Sequence, residues 1–240
     1  SSATKGVALT MTSMAFVQGA VSLEGFNAIA VEKLAALTAT LTLKQGGDLV
    51  FSALNQVGDV QLSAATTITS IDFSTVSTGG VIQTGTGSLT DASLAGAVNL
   101  GKLDLPAYVD LAKATSIAAG GAPNGVTISA PLATSIDLID TTPFAVTGNV
   151  SITAKGHVTL NAKSITGSLT IKTTTGNIAL NSLTSAGDTS LTASGTIHAA
   201  ITANASGTVA SGSEVHLAEL KSNAGGLTLT AVAVDLGKLA

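Results

Sequence analysis

Three residues in the C-terminal part of the chain have types and spacing that could do chemistry. His198 follows Ile197, His216 follows Val215, and Asp235 follows Val234, at intervals of 18 and 19 residues. If the chain winds once per interval, the three share one column, with Cα atoms about 5 Å apart per step. Two imidazoles and a carboxylate so placed could hold a divalent metal. The plainer reading is an ordinary surface column, because the preceding positions in register are Thr159 and Ala179. A second column is longer. Ser22, Thr42, Gln61, Gln83, Asn99, Thr127, Ser151, Thr170, Ser190 and Thr228 take the outward position of a short alternating unit, with Ala210 interrupting. Such a flat hydrogen-bonding face could pack against another subunit, bind glycans or order water. Strand exteriors also favour Thr without any function. Near-uniform Thr would favour ice-like water, and Gln61, Gln83 and Asn99 break that uniformity.

Other chemistry is thinner. Asp137 and Asp140 lie close in sequence, as do Asp104 and Asp110. Paired carboxylates can cleave glycosidic bonds. Here neither Arg nor Trp accompanies them, and Tyr108 is the single Tyr. Solvent-facing corners are the better reading of both pairs. Tyr108 lies in LPAYVDL, an insertion, where it is either an exposed contact residue or, as the preferred reading, a cap on the core. The glycine- and aspartate-rich calcium nonapeptide and the EF-hand loop are absent from the sequence. Sequons stand at Asn149 and Asn204, and matter only where the source glycosylates them. No cofactor is expected.

The elements that would position these residues come from a repeat. Glycines fall at Gly148, Gly167, Gly187, Gly207 and Gly226, at spacings of 19, 20, 20 and 19. Alternating apolar pairs follow, as in Val150/Ile152, Leu169/Ile171 and Leu227/Leu229, and the pattern runs back through Val60/Leu62, Leu41/Leu43 and Val21/Leu23 to Val7/Leu9. Units near Ile82, Thr189 and Val209 are degenerate. Each unit carries a second block spaced apolar-x-apolar-x-x-apolar, as in Ile29-Val31-Leu34 and Ile178-Leu180-Leu183. Period-two alternation over three to five residues means short, half-buried strands. The stretch FNAIAVEKLAALTA, the best helix candidate, keeps the repeat register and is read as strand plus turn. One unit cannot bury its own apolar face, but stacked units can.

The expected fold is therefore all-β: a parallel β-solenoid of about eleven to twelve coils with a repeat of about twenty residues. Residues 1–240 form one domain in this reading, with irregular, loop-bearing coils at about 80–148. Corner glycines are expected where positive φ is needed.

Composition agrees with an unusual surface. Only 10% of residues are charged, against roughly 25% in an ordinary soluble domain. Hydrophobic residues make up 45% and aromatics 2%, as a thin interior would require. All ten basic residues are Lys and the net charge is −4, so no nucleic-acid footprint is present. With no Cys, disulfides and thiol catalysis are excluded. No apolar run approaches the length of about 18 residues needed for a membrane-spanning helix.

The run GNVSITAKGHVTLNAKSITGSLTIKTTTGNIALNSLTSAGDTSLTASG resembles the haemagglutinin repeats of the filamentous haemagglutinin family, over about residues 148–230. The second block resembles the degenerate leucine-rich-like repeats of bacterial surface proteins. The first resemblance implies a secreted adhesin built as a right-handed parallel β-helix.

The sequence starts at Ser1, and LTLTAVAVDLGKLA keeps the repeat register to the last residue without a polar cap. Removal of a signal peptide or a trimmed chain would explain the start; a longer solenoid or stacking on neighbouring copies would explain the uncapped end. The expected function is a non-enzymatic, extracellular subunit that self-assembles end to end and laterally into a surface filament, sheath or layer. An adhesin segment binding glycans or host surfaces is the first alternative, and a polysaccharide-cleaving β-helix enzyme the second.

Overall fold

The protein, seen in a computed structural model, is built from short parallel strands. The structure describes residues 8–11, 16–17, 19–24, 26, 28–32, 34–37, 40–44, 48–57, 60–63, 70–77, 82–83, 88–90, 94–139, 143–185, 187–203, 207–222 and 227–237. No helix occurs among them. The chain forms a parallel β-solenoid with a repeat of about twenty residues. It divides into two compact units, Ser1–Gly120 and Gly121–Ala240.

In the N-terminal unit, each early coil contributes three short strands. Val21–Glu24, Ala28–Val31 and Ala36–Leu37 are followed one coil later by Leu41–Lys44, Asp48–Val50 and Gln56–Val57. Each pairs in parallel with its counterpart. The longest ladder of this unit stacks Ala8–Met11, Ala28–Val31, Asp48–Val50, Ser70–Asp72, Ala97–Asn99 and Ser116–Ala119. FNAIAVEKLAALTA thus supplies two strands rather than a helix, because its apolar residues serve successive faces of the coil.

The C-terminal unit stacks six strands on each of two ladders. One comprises Val126–Ala130, Val150–Ala154, Leu169–Thr173, Thr189–Ala193, Gly207–Ser211 and Leu227–Thr230. The other comprises Ser135–Leu138, His157–Leu160, Ile178–Ser185, Ile197–Ala203, Glu214–Ser222 and Ala233–Leu236. In the later coils the second ladder absorbs the third side of the coil. Ile178–Ser185 runs through a register shift between Ala179 and Ser182. That shift explains the two-residue gap in the block Ile178-Leu180-Leu183. All three residues still point inward and are buried.

Segments expected to bulge as loops between 80 and 148 instead carry strands. Tyr108–Asp110, within LPAYVDL, pairs with Ser88–Thr90. Phe144–Val146 pairs with Ala162–Ile165, with one shift after Phe144. Tyr108 is 43% exposed on its strand and does not cap the core. Its neighbour Val109 takes the inward position and is buried.

The cores are columns of identical chemistry. Val126, Val150 and Leu169 stack in register, as do Ile128, Ile152, Ile171, Leu191 and Val209, and all are buried. Each such aliphatic side chain contributes roughly 1.5–3 kcal/mol relative to exposure. Phe51 and Phe73, on adjacent coils, stack with ring centroids 4.9 Å apart and planes 9° from parallel. The first column weakens beyond Leu169, where Thr189 and then Gly207 take the inward position. The Thr189 hydroxyl is buried without a hydrogen-bond partner.

Corner glycines serve close approach more than positive φ. Gly125 and Gly148 do have φ of 84° and 142°. Gly156, by contrast, lies against the preceding coil, where a Cβ would collide with the Thr134 carbonyl oxygen.

Two outcomes follow. Gly156→Ala forces a shift of that corner and lowers stability by about 1–3 kcal/mol. Thr189→Val removes the orphan hydroxyl at nearly constant shape and raises stability by about 1 kcal/mol or more. Urea unfolding followed by circular dichroism measures both, and a destabilised Thr189→Val would contradict the buried-hydroxyl assignment.

Candidate functional site

Two outward surfaces of the C-terminal unit hold the histidine column and part of the hydroxyl column singled out from sequence. The first is the histidine column. Asp137 aligns with Thr159, Thr159 with Ala179, Ala179 with His198, His198 with His216, and His216 with Asp235. Alternation along the strands turns Ile197 and Val215 inward and the histidines outward. The structure therefore brings His198, His216 and Asp235 onto successive rungs and leaves Asp137 apart, with Thr159 and Ala179 between.

The column forms an ion-pair network rather than a coordination shell. The rings of His198 and His216 stack face to face, with centroids 4.8 Å apart and planes 5° from parallel. Lone pairs on imidazole nitrogens lie in the ring plane, so stacked rings project them side by side rather than toward a common point. Both nitrogens of His216 already face carboxylates: Nε2 lies 2.9 Å from Glu214 Oε2, and Nδ1 lies 3.4 Å from Asp235 Oδ2. Among the described residues, no group of three or more acidic or imidazole side chains is arranged to hold a metal ion.

Glu214 is the member that the sequence reading missed. Residues two apart on a strand share a face, and Glu214 stands two before His216, which is the signal that would have found it. Its hydrogen bond is the main cause that raises the His216 pKa above the ordinary histidine range, and Asp235 adds to it; partial desolvation opposes both. His216 therefore stays protonated to higher pH in the folded state. A raised folded pKa gives a stabilising contribution that is full below the unfolded pKa and is lost as pH rises through the folded one.

Corners beside this ladder are tied by side chains. His157 Nδ1 accepts the Asn177 amide proton at 3.2 Å, and Asn177 Oδ1 accepts that of Thr196 at 2.9 Å. Asn149 likewise accepts the Ser168 amide proton at 2.8 Å, so this sequon asparagine has a structural task. Asn204 and Asp140 lie outside the described residues.

The second surface is the hydroxyl face, and here the structure regroups the expected column. Thr127, Ser151, Thr170, Ser190, Thr208 and Thr228 align on one ladder. Thr208, not Ala210, is the neighbour of Ser190. Ala210 belongs to a parallel outward column with Ser129, Thr153, Lys172, Thr192 and Thr230. Ser22, Thr42, Gln61 and Gln83 belong to a separate ladder of the N-terminal unit. Asn99 sits on neither; its strand places it between Asp72 and Ala118.

Near Asp72 and Asn99 an open depression of about 340 Å³ is lined by Val50, Ile71, Asp72, Ser74, Ala97 and Asn99. Asp72 is its charged group, and Asp72 Oδ1 accepts the Ser74 amide proton at 3.0 Å. That bond makes the carboxylate part of a turn.

No family model, curated protein or solved structure matches this chain.

Glu214→Gln is expected to lower the His216 titration midpoint toward the ordinary histidine value, and Asp235→Asn to lower it by less. NMR titration of the imidazole protons reads both. An unchanged midpoint in Glu214→Gln would remove Glu214 as the principal cause.

Proposed function

We propose that this chain is a non-enzymatic structural β-solenoid that assembles by stacking rungs of the same kind in parallel register. The observation that carries this reading is that successive rungs of the C-terminal unit are complementary to one another in two features. Strands one coil apart pair in parallel along the whole of each ladder. Their inward aliphatic side chains stack in register, as in Ile128, Ile152, Ile171, Leu191 and Val209, and Val234 continues the inward column of Ile197 and Val215.

Both features favour covering by another rung of the same kind. Unpaired strand edges template further strands. Apolar columns gain from each residue they bury. A second copy supplies both if its own strands enter in parallel register, and a head-to-tail contact that does not close yields a filament. Kinship with filamentous haemagglutinin repeats, and a place in an extracellular surface filament, sheath or layer, belong to this proposal. They rest on the repeat GNVSITAKGHVTLNAKSIT and its successors, and on the low charge density that suits a surface that packs.

The 240-residue chain is expected to form end-to-end polymers visible by negative-stain microscopy and by light scattering. Val234→Lys should cut the polymer fraction by about tenfold, because it places a charge in the column that the next rung must bury. Wild-type protein that stays monomeric at high concentration would defeat this reading, as would Val234→Lys polymers equal to the wild type.

A further inference from the structure

The hydroxyl face of the C-terminal unit has a regularity that rung stacking does not require. Its five successive pairings run without a register shift. The neighbouring ladder shifts between Ala179 and Ser182 and again between Ala199 and Ala200. On the unbroken ladder, outward side chains repeat about every 4.8 Å from rung to rung, and the two columns stand about 6.6 Å apart along each strand. The result is a rectangular grid two positions wide. The residues that spoiled uniformity in the sequence, Gln61, Gln83 and Asn99, are not on it.

The chemistry of the grid selects its occupant. Apart from Lys172 it is uncharged, and Thr127, Thr153, Thr170, Thr192 and Thr208 are exposed on it. A hydroxyl both donates and accepts, and it rotates to suit its partner. Threonine is stiff at χ1, so its hydroxyl and methyl groups are held in place before anything binds. The complementary partner is neutral, flat and extended, and is itself a periodic array of oxygen donors and acceptors. The prism faces of hexagonal ice repeat their oxygen positions at one distance close to the rung spacing and at a second somewhat longer than the spacing along the strand. A second copy laid face to face would oppose two hydroxyl grids and bury little apolar area. A crystalline polysaccharide would call for aromatic platforms, and none of the twelve grid positions is aromatic.

We infer that this face binds ice. Threonine hydroxyls take the places of lattice waters, and the methyl groups sit in the hollows between them. Lys172 and Ala210 lack a hydroxyl group at their positions of the grid, and Ser129, Ser151 and Ser190 supply the hydroxyl without the methyl. The inference is independent of assembly by rung stacking, since it uses a different surface.

The test is partition of the full chain into a slowly grown ice hemisphere from buffered solution, together with inhibition of ice recrystallisation. Wild-type protein should be enriched in the ice fraction. Thr153→Lys/Thr192→Lys, which sets three lysines side by side in one column, should lower that enrichment by about tenfold or more. Both positions face solvent, and circular dichroism should show the fold unchanged. Lys163→Ala, an exposed change on another strand, should partition like the wild type. Wild-type protein excluded from ice like an ordinary solute would overturn the inference, and so would a double variant retained as well as the wild type. Polymers that form without ice retention would sink the ice-binding face and leave assembly by rung stacking standing.

Discussion

Every feature of this protein depends on one arrangement: aliphatic side chains of successive coils stacked in register while their backbones pair in parallel. The two interactions require each other. Ladder hydrogen bonds set the rung spacing at about 4.8 Å, which brings Ile128, Ile152, Ile171, Leu191 and Val209 into contact one above the next. The buried column in turn keeps the register, because a slip of one residue would turn all of these side chains out to solvent. Outward chemistry is a by-product of that constraint. Any residue type placed at the intervening positions is copied into a column whether or not it has a task.

The corners carry the cost of such tight stacking. Backbone from one coil lies directly on backbone from the last, so a side chain has no room at Gly156 or Gly176. Hydrogen bonds across the same corners use side chains as spacers. Asn149, Asn177 and His157 each accept an amide proton from the coil above. The Thr173 hydroxyl donates to the Gly176 carbonyl at 3.0 Å and closes a turn, and that of Ser211 donates to the Gly195 carbonyl of the preceding coil at 2.6 Å. Polar residues near the core are thus structural at the corners, while the broad strand faces are left free to vary.

The repeat made the fold legible. Alternation at period two and glycines at intervals near twenty residues identify strands and coil length without any tertiary information; inward residues such as Leu41, Ile152 and Ile178 are buried, while Val21 and Leu229 are only partly so. Legibility failed where the inward positions lose their apolar signal. Thr189 and Gly207 occupy an aliphatic column, so the unit that starts at Gly207 was aligned a pair late and Ala210 was put beside Ser190. Between residues 80 and 148 the strands are short and unevenly spaced, and Pro106 stands before Tyr108–Asp110. Both effects hide a strand inside what reads as a loop. They also moved Asn99 onto the wrong face. The histidine column is legible from spacing, but the contacts its side chains make are not. Ring stacking and the Glu214 contact depend on side-chain orientation, about which spacing is silent.

The pairing of Thr189 with Gly207 has a mechanical meaning. In a stack where each coil touches only its neighbours, cohesion is a series of links and not a shared network. Leu169 above Val150 is a strong link; a bare glycine over a buried hydroxyl is a weak one. Pulled along its axis, the C-terminal unit should part at this seam before any other, like a column of masonry that cracks at its one dry joint.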